Sequence, residues 1–250
     1  MNRQQIIEFK QLLSRTEKIV GFTGAGVSTE SGIPDYRSAG GIWDRFKPVT
    51  IDEFMSSEQK RIQYWQRKVI LWEQISRAKP GKTHVFFKQL YDRQRLNGLI
   101  TQNIDGLHET SGLPDELIVN LHGTNLSTIC MSCGKKFPSS ILFKHLDLTK
   151  GSPRCEICDG YLKPDTISFG QQLDPVNLKR ATFFSQHCQL MIVAGSSLVV
   201  QPAASFPLIA KQSGARLAII TISETPLDVY ADFLFKIKLG EFWDIYEQEN

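Results

Sequence analysis

Four of the five cysteines have the spacing of metal ligands. Cys130 and Cys133 form one C-x2-C pair, Cys155 and Cys158 form a second, and 21 residues separate the two pairs. Two such pairs converge on one ion and supply the four thiolates of a structural zinc site, the alternative being four unliganded buried cysteines. Because a closed shell leaves no position for a reactive water, we expect one zinc ion that stabilises a small module. The fifth, Cys188, precedes an apolar run and is expected to be a core residue.

A glycine-rich stretch ends the first apolar segment and is suited to bind a phosphate. Gly21, Gly24 and Gly26 let the backbone turn tightly and approach an anion without an intervening Cβ. The third small position of the dinucleotide fingerprint falls on Thr29 instead. On spacing alone, a cofactor site and an ordinary strand-to-loop turn are equally good interpretations. The long polar loop that follows favours the cofactor site.

Polar and titratable side chains follow two further apolar segments. Asn103 and Asp105 follow the segment 98–102 and offer an amide and a carboxylate to a carboxamide ligand, although a local turn explains them equally well. His122 follows the segment 117–121 and is a candidate general base, with a structural histidine as the alternative. If these segments are neighbouring strands, their polar ends meet at one edge of a sheet.

The elements that position these residues alternate along the chain. Apolar segments rich in β-formers occur at 18–22, 98–102, 117–121, 189–194, 216–222 and 233–237. Helical patterns lie between them, as at 83–94 and at 202–212, where we expect Pro202 in the first turn and Gly214 just past the end. This alternation predicts a parallel sheet covered on both faces. Small residues at 195–197 follow one strand and suit phosphate or ribose hydroxyls.

The sequence therefore predicts an α/β fold, in which a Rossmann-like parallel-sheet domain carries a smaller zinc-binding and helical domain. We assign residues 1–36, 81–123 and 167–250 to the Rossmann-like domain. Residues 37–80 form the helical segment of the smaller domain, and residues 124–166, the zinc module, form the rest. The site is expected in the cleft between the two domains.

Composition limits the function classes. The chain has 250 residues, 41% of them hydrophobic, and its 29 Lys and Arg against 26 Asp and Glu give a net charge of +3. With no basic stripe, specific nucleic-acid binding is not expected. No signal peptide or membrane span is evident. We expect a cytoplasmic protein in which thiols stay reduced and bind metal.

Together these segments resemble the sirtuin family of NAD-dependent protein lysine deacylases. The resemblance runs from about residue 8 to residue 240. It rests on motifs in the family's order, which are GAGVSTESGIPDYR, TQNIDGLH, LHG, the paired cysteines, KPDTISFGQ and GSSLVVQP. It implies a Rossmann-like fold, NAD as co-substrate, one structural zinc and acylated-lysine proteins as partners.

The resemblance also implies roles for individual residues. NAD contacts are expected at Gly24, Ala25, Gly26, Ser28, Asp35, Tyr36, Arg37, Gln102, Asn103, Ile104, Asp105, Gly195, Ser196, Ser197 and Thr221. Catalytic roles are expected for His122, Asn103 and Asp105. The acyl peptide would align on Ile167, Phe169 and Gly170. In the implied reaction the acyl oxygen displaces nicotinamide from the ribose, His122 takes a ribose hydroxyl proton, and O-acyl-ADP-ribose and free lysine result.

The predicted helix 59–76 carries residues that bear on which acyl group is removed. Its apolar stripe of Ile62, Trp65, Val69 and Trp72 predicts the buried face. Tyr64 and Arg67 are then expected to project together from another face. A phenol beside a guanidinium makes a carboxylate receptor, and the spacing resembles that of sirtuins that remove succinyl groups. Removal of dicarboxylic acyl groups is therefore a hypothesis beside plain deacetylation.

Three other functions use the same features. Mono-ADP-ribosyl transfer would use the same NAD pocket with a protein nucleophile. A non-enzymatic zinc-ribbon adaptor would show strongly salt-dependent nucleic-acid binding, for which the near-neutral charge is unsuited. An NAD oxidoreductase would need an acidic residue at the end of a second strand, and Asp44 has the spacing but lies in the loop.

Overall fold

A six-stranded parallel sheet forms the centre of the computed structural model, which describes residues 3–35 and 47–249. Its strands are β1 (Ile19–Thr23), β2 (Leu96–Thr101), β3 (Ile118–Asn120), β7 (Leu190–Ala194), β8 (Arg216–Ile220) and β9 (Phe233–Phe235). The strand order is β3-β2-β1-β7-β8-β9, and every pairing is parallel. The six apolar segments predicted as strands therefore all belong to one sheet. The order changes direction between β1 and β7, which is where such sheets bind ligands.

Helices cover both faces of this sheet, as the apolar character of its strands requires. On one face lie α1 (Arg3–Arg15), α4 (Lys82–Asp92) and α9 (Leu239–Gln248). On the other face lie α7 (Pro175–His187) and α8 (Phe206–Gln212). The parallel α/β fold is confirmed.

The predicted helix at 202–212 differs from the structure at its start. A 3-10 turn at Ala203–Ser205 comes first, and α8 begins at Phe206 with Pro207 in its first turn. Pro202 therefore precedes the helical segment instead of opening it. A proline fits the first turn because it lacks an N–H that the helix would leave unpaired, and Pro207 has this position. Gly214 follows the helix with φ of +94°, as predicted for a residue just past the end.

A second, antiparallel sheet carries the cysteines. It consists of β4 (Gly123–Cys130), β5 (Lys136–Pro138) and β6 (Leu162–Thr166) in the order β5-β4-β6. Three helices accompany it, α2 (Ile51–Ser56), α3 (Glu58–Ile75) and α6 (Ser139–His145). Phe54, Tyr64 and Trp65 from α2 and α3 share a buried cluster with Cys130 and Leu162 of the zinc module. Contacts of this kind join the segment before residue 80 to the zinc module.

The buried face of α3 differs from the predicted stripe. The buried residues are Arg61, Tyr64, Trp65, Lys68, Leu71 and Ile75, whereas Ile62, Val69 and Trp72 are only partly buried. Polar residues can be buried on this face of α3 because they find hydrogen-bond partners there. The Arg61 guanidinium donates to the Glu58 carboxylate at 2.8 Å and to the Phe54 carbonyl at 2.8 Å. The buried face predicted from the hydropathy pattern is therefore shifted by about one residue from the buried face in the structure.

The carboxyl ends of β1 and β7 meet backbone to backbone. Gly24 N–H donates to the Ala194 carbonyl at 3.0 Å, and Gly26 N–H donates to the Gly195 carbonyl at 2.9 Å. A Cβ on Gly26 would lie 2.8 Å from the Gly195 Cα, and a Cβ on Gly195 would lie 2.5 Å from the Val27 nitrogen. Gly195 also has φ of +64°, which disfavours any other residue. These glycines are thus required by contact between two loops. Among the described residues, no helix is long and apolar enough to cross a membrane.

Gly195→Ala should destabilise the protein by about 3 kcal/mol or more, because strain at positive φ adds to a backbone overlap that cannot relax. Guanidinium unfolding at equilibrium measures this loss. Gly214→Ala is the matched control, since its φ is +94° and a Cβ there meets nothing within 4 Å. The control should lose only about 1–2 kcal/mol. Equal losses in the two variants would contradict the contact argument.

Candidate active site

Three buried polar side chains form one hydrogen-bonded group where β1 and β2 end. The Ser28 hydroxyl donates to Asp105 Oδ2 at 2.7 Å, and Asn103 Nδ2 donates to Ser28 Oγ at 3.2 Å. The other Asp105 oxygen, Oδ1, accepts the N–H of Leu107 at 2.9 Å. Their exposed fractions are only 1% for Ser28, 6% for Asn103 and 7% for Asp105. The glycine-rich stretch and the segment after β2 are therefore locked together.

Asp105 makes the local turn that was one of the two interpretations of its position, and its role towards a ligand stays a prediction. Its bond to Leu107 N–H fixes the start of the short helix α5 (Leu107–Thr110), which is the local-turn role. Its bond to Ser28 faces the predicted site. Burial raises the pKa of Asp105, and the hydrogen bonds from Leu107 and Ser28 oppose that rise. A small cavity opens beside the group and is lined by Ala25, Ser28, Ile33, Pro34, Leu71, Ile75, Asn103, Ile104 and Asp105.

His122 lies at the same edge of the sheet, half-buried after β3. Its Nδ1 lies 3.0 Å from the Gln102 carbonyl oxygen. Because a carbonyl only accepts, this contact places the imidazole proton on Nδ1 and leaves the lone pair on Nε2. The Gln102 side-chain oxygen accepts from the Ser196 hydroxyl at 2.7 Å. The polar residues after β1, β2, β3 and β7 thus form one connected site.

The other predicted nucleotide contacts fall around this group. Ala25 and Ile104 line the small cavity, and Ser197 is half-buried beside Ser196. Thr221 is buried after β8, where its N–H donates to the Phe235 carbonyl at 3.1 Å. Asp35 is half-buried at the end of the first described range. Tyr36, Arg37 and Asp44 lie outside the described residues.

The residues expected to align an acyl peptide follow β6 in a segment that leads away from His122. Ile167 N–H donates to the His122 carbonyl at 2.8 Å, and Gly123 pairs with Thr166 of β6. Further along, Phe169 is 50% exposed and its carbonyl accepts the Ile51 N–H at 2.9 Å. Gly170 is exposed with φ of +84°. These residues border the site on the side of the smaller domain.

Tyr64 and Arg67 lie close together, with the Arg67 guanidinium carbon 5.4 Å from the centroid of the Tyr64 ring, but the open face predicted for Tyr64 is wrong. Tyr64 is only 2% exposed, and its phenol lies 3.1 Å from Thr166 Oγ1. Arg67 is partly exposed and donates to the Lys47 carbonyl at 3.4 Å. Tyr64 turns inward because the antiparallel sheet offers a hydroxyl partner there.

The four paired cysteines lie together, as their spacing predicts. Their Sγ atoms all fall within 4.8 Å of one another, with 3.5 Å between Cys130 and Cys158 and 3.9 Å between Cys133 and Cys155. Tetrahedral zinc with Zn–S bonds of about 2.3 Å needs sulfurs about 3.8 Å apart, so the donor set fits zinc. Cys188 lies elsewhere in the core and is buried, and burial raises the pKa of its thiol to about 11.

Comparison with known proteins agrees with this geometry. The model of the Sir2 family matches residues 24–202, a range that includes the glycine loop, His122 and all four paired cysteines. The chain belongs to the Sir2 family. It is 41% identical over 239 residues to NAD-dependent protein deacetylase 1 of Bradyrhizobium diazoefficiens, which covers 96% of this chain and 94% of that protein.

Solved Sir2 structures share the whole fold. Sir2Tm bound to a propionylated peptide superposes with a TM-score of 0.84 at 35% identity, covering 97% of this chain and 98% of the other. A Sir2 complex with a p53 peptide and NAD+ superposes with a TM-score of 0.83 at 33% identity, covering 99% and 98%. The Rossmann-like domain with a smaller cysteine-bearing domain is thus the architecture of this Sir2-family chain.

A buried histidine pair behind the Sir2 site escaped the sequence analysis. The rings of His84 on α4 and His108 on α5 have centroids 4.7 Å apart, and both residues are at most 1% exposed. His84 Nδ1 accepts the Gly81 N–H at 3.0 Å. His108 Nε2 lies 3.0 Å from the Thr23 hydroxyl at the end of β1. Histidine at a helical core position gives no signal in a hydropathy pattern.

Burial keeps both histidines neutral and should make the fold sensitive to acid. Burial lowers the pKa of His84 to about 4, while burial and then the charge of His84 hold the pKa of His108 well below its usual value. The unfolded chain binds these protons near pH 6.5, so stability should fall as pH drops from about 6.5 towards 4. For His84 alone the loss at pH 4 should be about 3 kcal/mol.

Unfolding free energies measured across this range test the assignment. His84→Asn keeps an acceptor for the Gly81 N–H and removes the titration, so its stability should vary less with pH than that of the parent chain. His145→Asn, at an exposed histidine, is the control and should leave the slope unchanged. If His84→Asn did not reduce the slope of unfolding free energy against pH, His84 would not be the source of the acid sensitivity.

Proposed function

We propose that this chain is an NAD-dependent protein lysine deacylase that converts an acylated lysine and NAD into lysine, nicotinamide and O-acyl-ADP-ribose. The observation that carries the proposal is the convergence of four strand ends. It joins the Ser28–Asn103–Asp105 group, Gln102 with Ser196, and His122 at one edge of the sheet. Relatives named as an NAD-dependent protein deacetylase and an NAD-dependent protein deacylase align over nearly the whole chain and support it.

The buried group suits the nicotinamide end of NAD. An amide and a carboxylate held by Ser28 offer both acceptors and donors to a carboxamide, and their burial excludes water from the glycosidic bond. The N–H groups and small residues of the loops at 24–28 and 195–197 leave room for the pyrophosphate and adenosine. Thr221, Asp35, Tyr36 and Arg37 are proposed as further NAD contacts.

His122 has the geometry of the general base. The Gln102 carbonyl holds its proton on Nδ1, so Nε2 is the nitrogen that accepts a proton from a ribose hydroxyl. The segment from Ile167 to Gly170 follows β6 and turns at Phe169 and Gly170. It starts at the His122 carbonyl and would align the acyl peptide beside the base. Zinc on the four cysteines would hold the antiparallel sheet that carries this strand, with no part in the reaction. We place the enzyme in the cytoplasm, since the metal-binding thiols must stay reduced.

His122→Ala should reduce turnover of an acetyl-lysine peptide by roughly 10²-fold or more while leaving NAD binding nearly unchanged. Nicotinamide release and lysine formation are measured by mass spectrometry, and NAD affinity by calorimetry. The parent chain should release one nicotinamide for each lysine restored. His145→Asn, at an exposed histidine that ends α6, is the control.

Two outcomes would contradict the proposal. If dialysed protein restored lysine at an undiminished rate without NAD, NAD would not be a co-substrate of the reaction. Nicotinamide released with ADP-ribose attached to the protein, and without O-acyl-ADP-ribose, would favour mono-ADP-ribosyl transfer.

A further inference from the structure

A second set of buried hydrogen bonds lies behind the candidate active site, and the proposed reaction does not use it. The Thr23 hydroxyl at the end of β1 donates to Thr101 Oγ1 at the end of β2, at 2.8 Å. Thr101 Oγ1 also accepts the backbone N–H of Asn103 at 3.0 Å. On the other side, His108 Nε2 lies 3.0 Å from Thr23 Oγ1. Thr23, Thr101 and His108 are at most 1% exposed, so water does not replace these bonds.

The direction of these bonds follows from the protons that are available. Thr23 uses its single hydroxyl proton in the bond to Thr101, so Thr23 Oγ1 must accept from His108, which places the histidine proton on Nε2. Burial, and then the charge of His84, hold the pKa of His108 well below its usual value, so the imidazole is neutral and has only this proton. The donors therefore run from His108 through Thr23 to Thr101.

These bonds close into a ring with the polar group at the front of the site. Asp105 Oδ1 accepts the Leu107 N–H, which sets the position of the next residue, His108. At the front, Asn103 Nδ2 donates to Ser28 Oγ, and the Ser28 hydroxyl donates to Asp105 Oδ2. We call this closed set the Asn103 ring, and its members are Thr23, Ser28, Thr101, Asn103, Asp105, Leu107 and His108.

The Asn103 ring fixes Asn103 at two points. Ser28 Oγ holds its side-chain amide, Thr101 Oγ1 holds its backbone, and the residue lines the small cavity beside Asp105. Because Nδ2 is used in the bond to Ser28, Oδ1 is the atom with which Asn103 would accept a carboxamide N–H. In a buried network the loss of one bond changes the geometry of the others. The orientation of Asn103 therefore depends on groups that line no part of this cavity.

We propose that Thr101 and His108 are positioning residues that orient Asn103 towards the nicotinamide carboxamide of NAD. This inference rests on the proposed deacylase function. Thr101 acts through the Asn103 N–H, and His108 acts on Thr101 through Thr23. Their loss should consequently affect the nicotinamide end of NAD and leave binding of the ADP-ribose part unchanged.

Thr101→Val keeps the shape of the side chain but cannot accept the Asn103 N–H. By calorimetry, its Kd for NAD should rise about fivefold or more, while its Kd for ADP-ribose, which lacks nicotinamide, should change less than about twofold. Its kcat for nicotinamide release with an acetyl-lysine peptide should fall about tenfold or more. Thr101→Ser keeps the hydroxyl and should restore kcat to within about threefold of the parent chain. Thr182→Val is the control, since that hydroxyl donates to the Leu178 carbonyl within α7.

His108→Gln and His108→Leu test the opposite side of the ring. Glutamine offers an N–H to Thr23 from nearly the position of Nε2, so this variant should keep most of the nicotinamide release. Leucine has no donor and should reproduce the kinetics of Thr101→Val. Circular dichroism shows whether each variant is folded, and the two His108 variants decide the matter if Thr101→Val is not.

Equal losses of affinity for NAD and for ADP-ribose in Thr101→Val would show a purely structural role and overturn the proposal. So would an unchanged kcat in Thr101→Val, or a Thr101→Ser or His108→Gln variant as poor as its apolar counterpart. If the parent chain released no nicotinamide from NAD with an acetyl-lysine peptide, the deacylase function would be refuted. The NAD and ADP-ribose affinities of Thr101→Val would still decide whether the ring orients Asn103.

Discussion

The edge of the sheet that carries the candidate active site depends on two backbones that touch with no side chain between them. Gly26 and Gly195 meet where β1 and β7 end, at the point where the strand order reverses. This contact fixes the loop that carries Ser28, and Ser28 in turn holds Asn103 and Asp105. Any Cβ in the contact would push the loops apart and displace the polar group. The structure therefore requires these glycines for the packing of the two loops.

Burial affects two sets of titratable groups around this contact. It excludes water from the Ser28–Asp105 pair, which raises the pKa of Asp105 while its hydrogen bonds hold it in place. It also keeps His84 and His108 neutral behind the site, where His108 contacts the Thr23 hydroxyl. Polar groups placed so deeply have few alternative partners, and the strand ends consequently keep one arrangement.

Helix α3 joins the two parts of the molecule through polar rather than purely apolar contacts. Arg61 and Trp65 bind it to the antiparallel sheet and its neighbours, with Trp65 Nε1 donating to the Leu162 carbonyl at 3.1 Å. One turn on, Lys68 contacts both β4 and β6, and Leu71 reaches the cavity beside Asn103. The same helix thus connects the cysteine-bearing sheet to the candidate active site.

The sequence alone determined the parallel α/β sheet, the four-cysteine cluster and the polar ends of four strands, because periodicity, C-x2-C spacing and residues that follow apolar runs are local properties. It could not determine which face of α3 is buried or that Tyr64 turns inward, since Thr166 lies about a hundred residues away in the chain. The burial of the His84–His108 pair and of Lys68 could not be predicted from the sequence either. Their burial depends on partners that only the packing of distant strands and helices supplies, and a hydropathy pattern treats such residues as exposed.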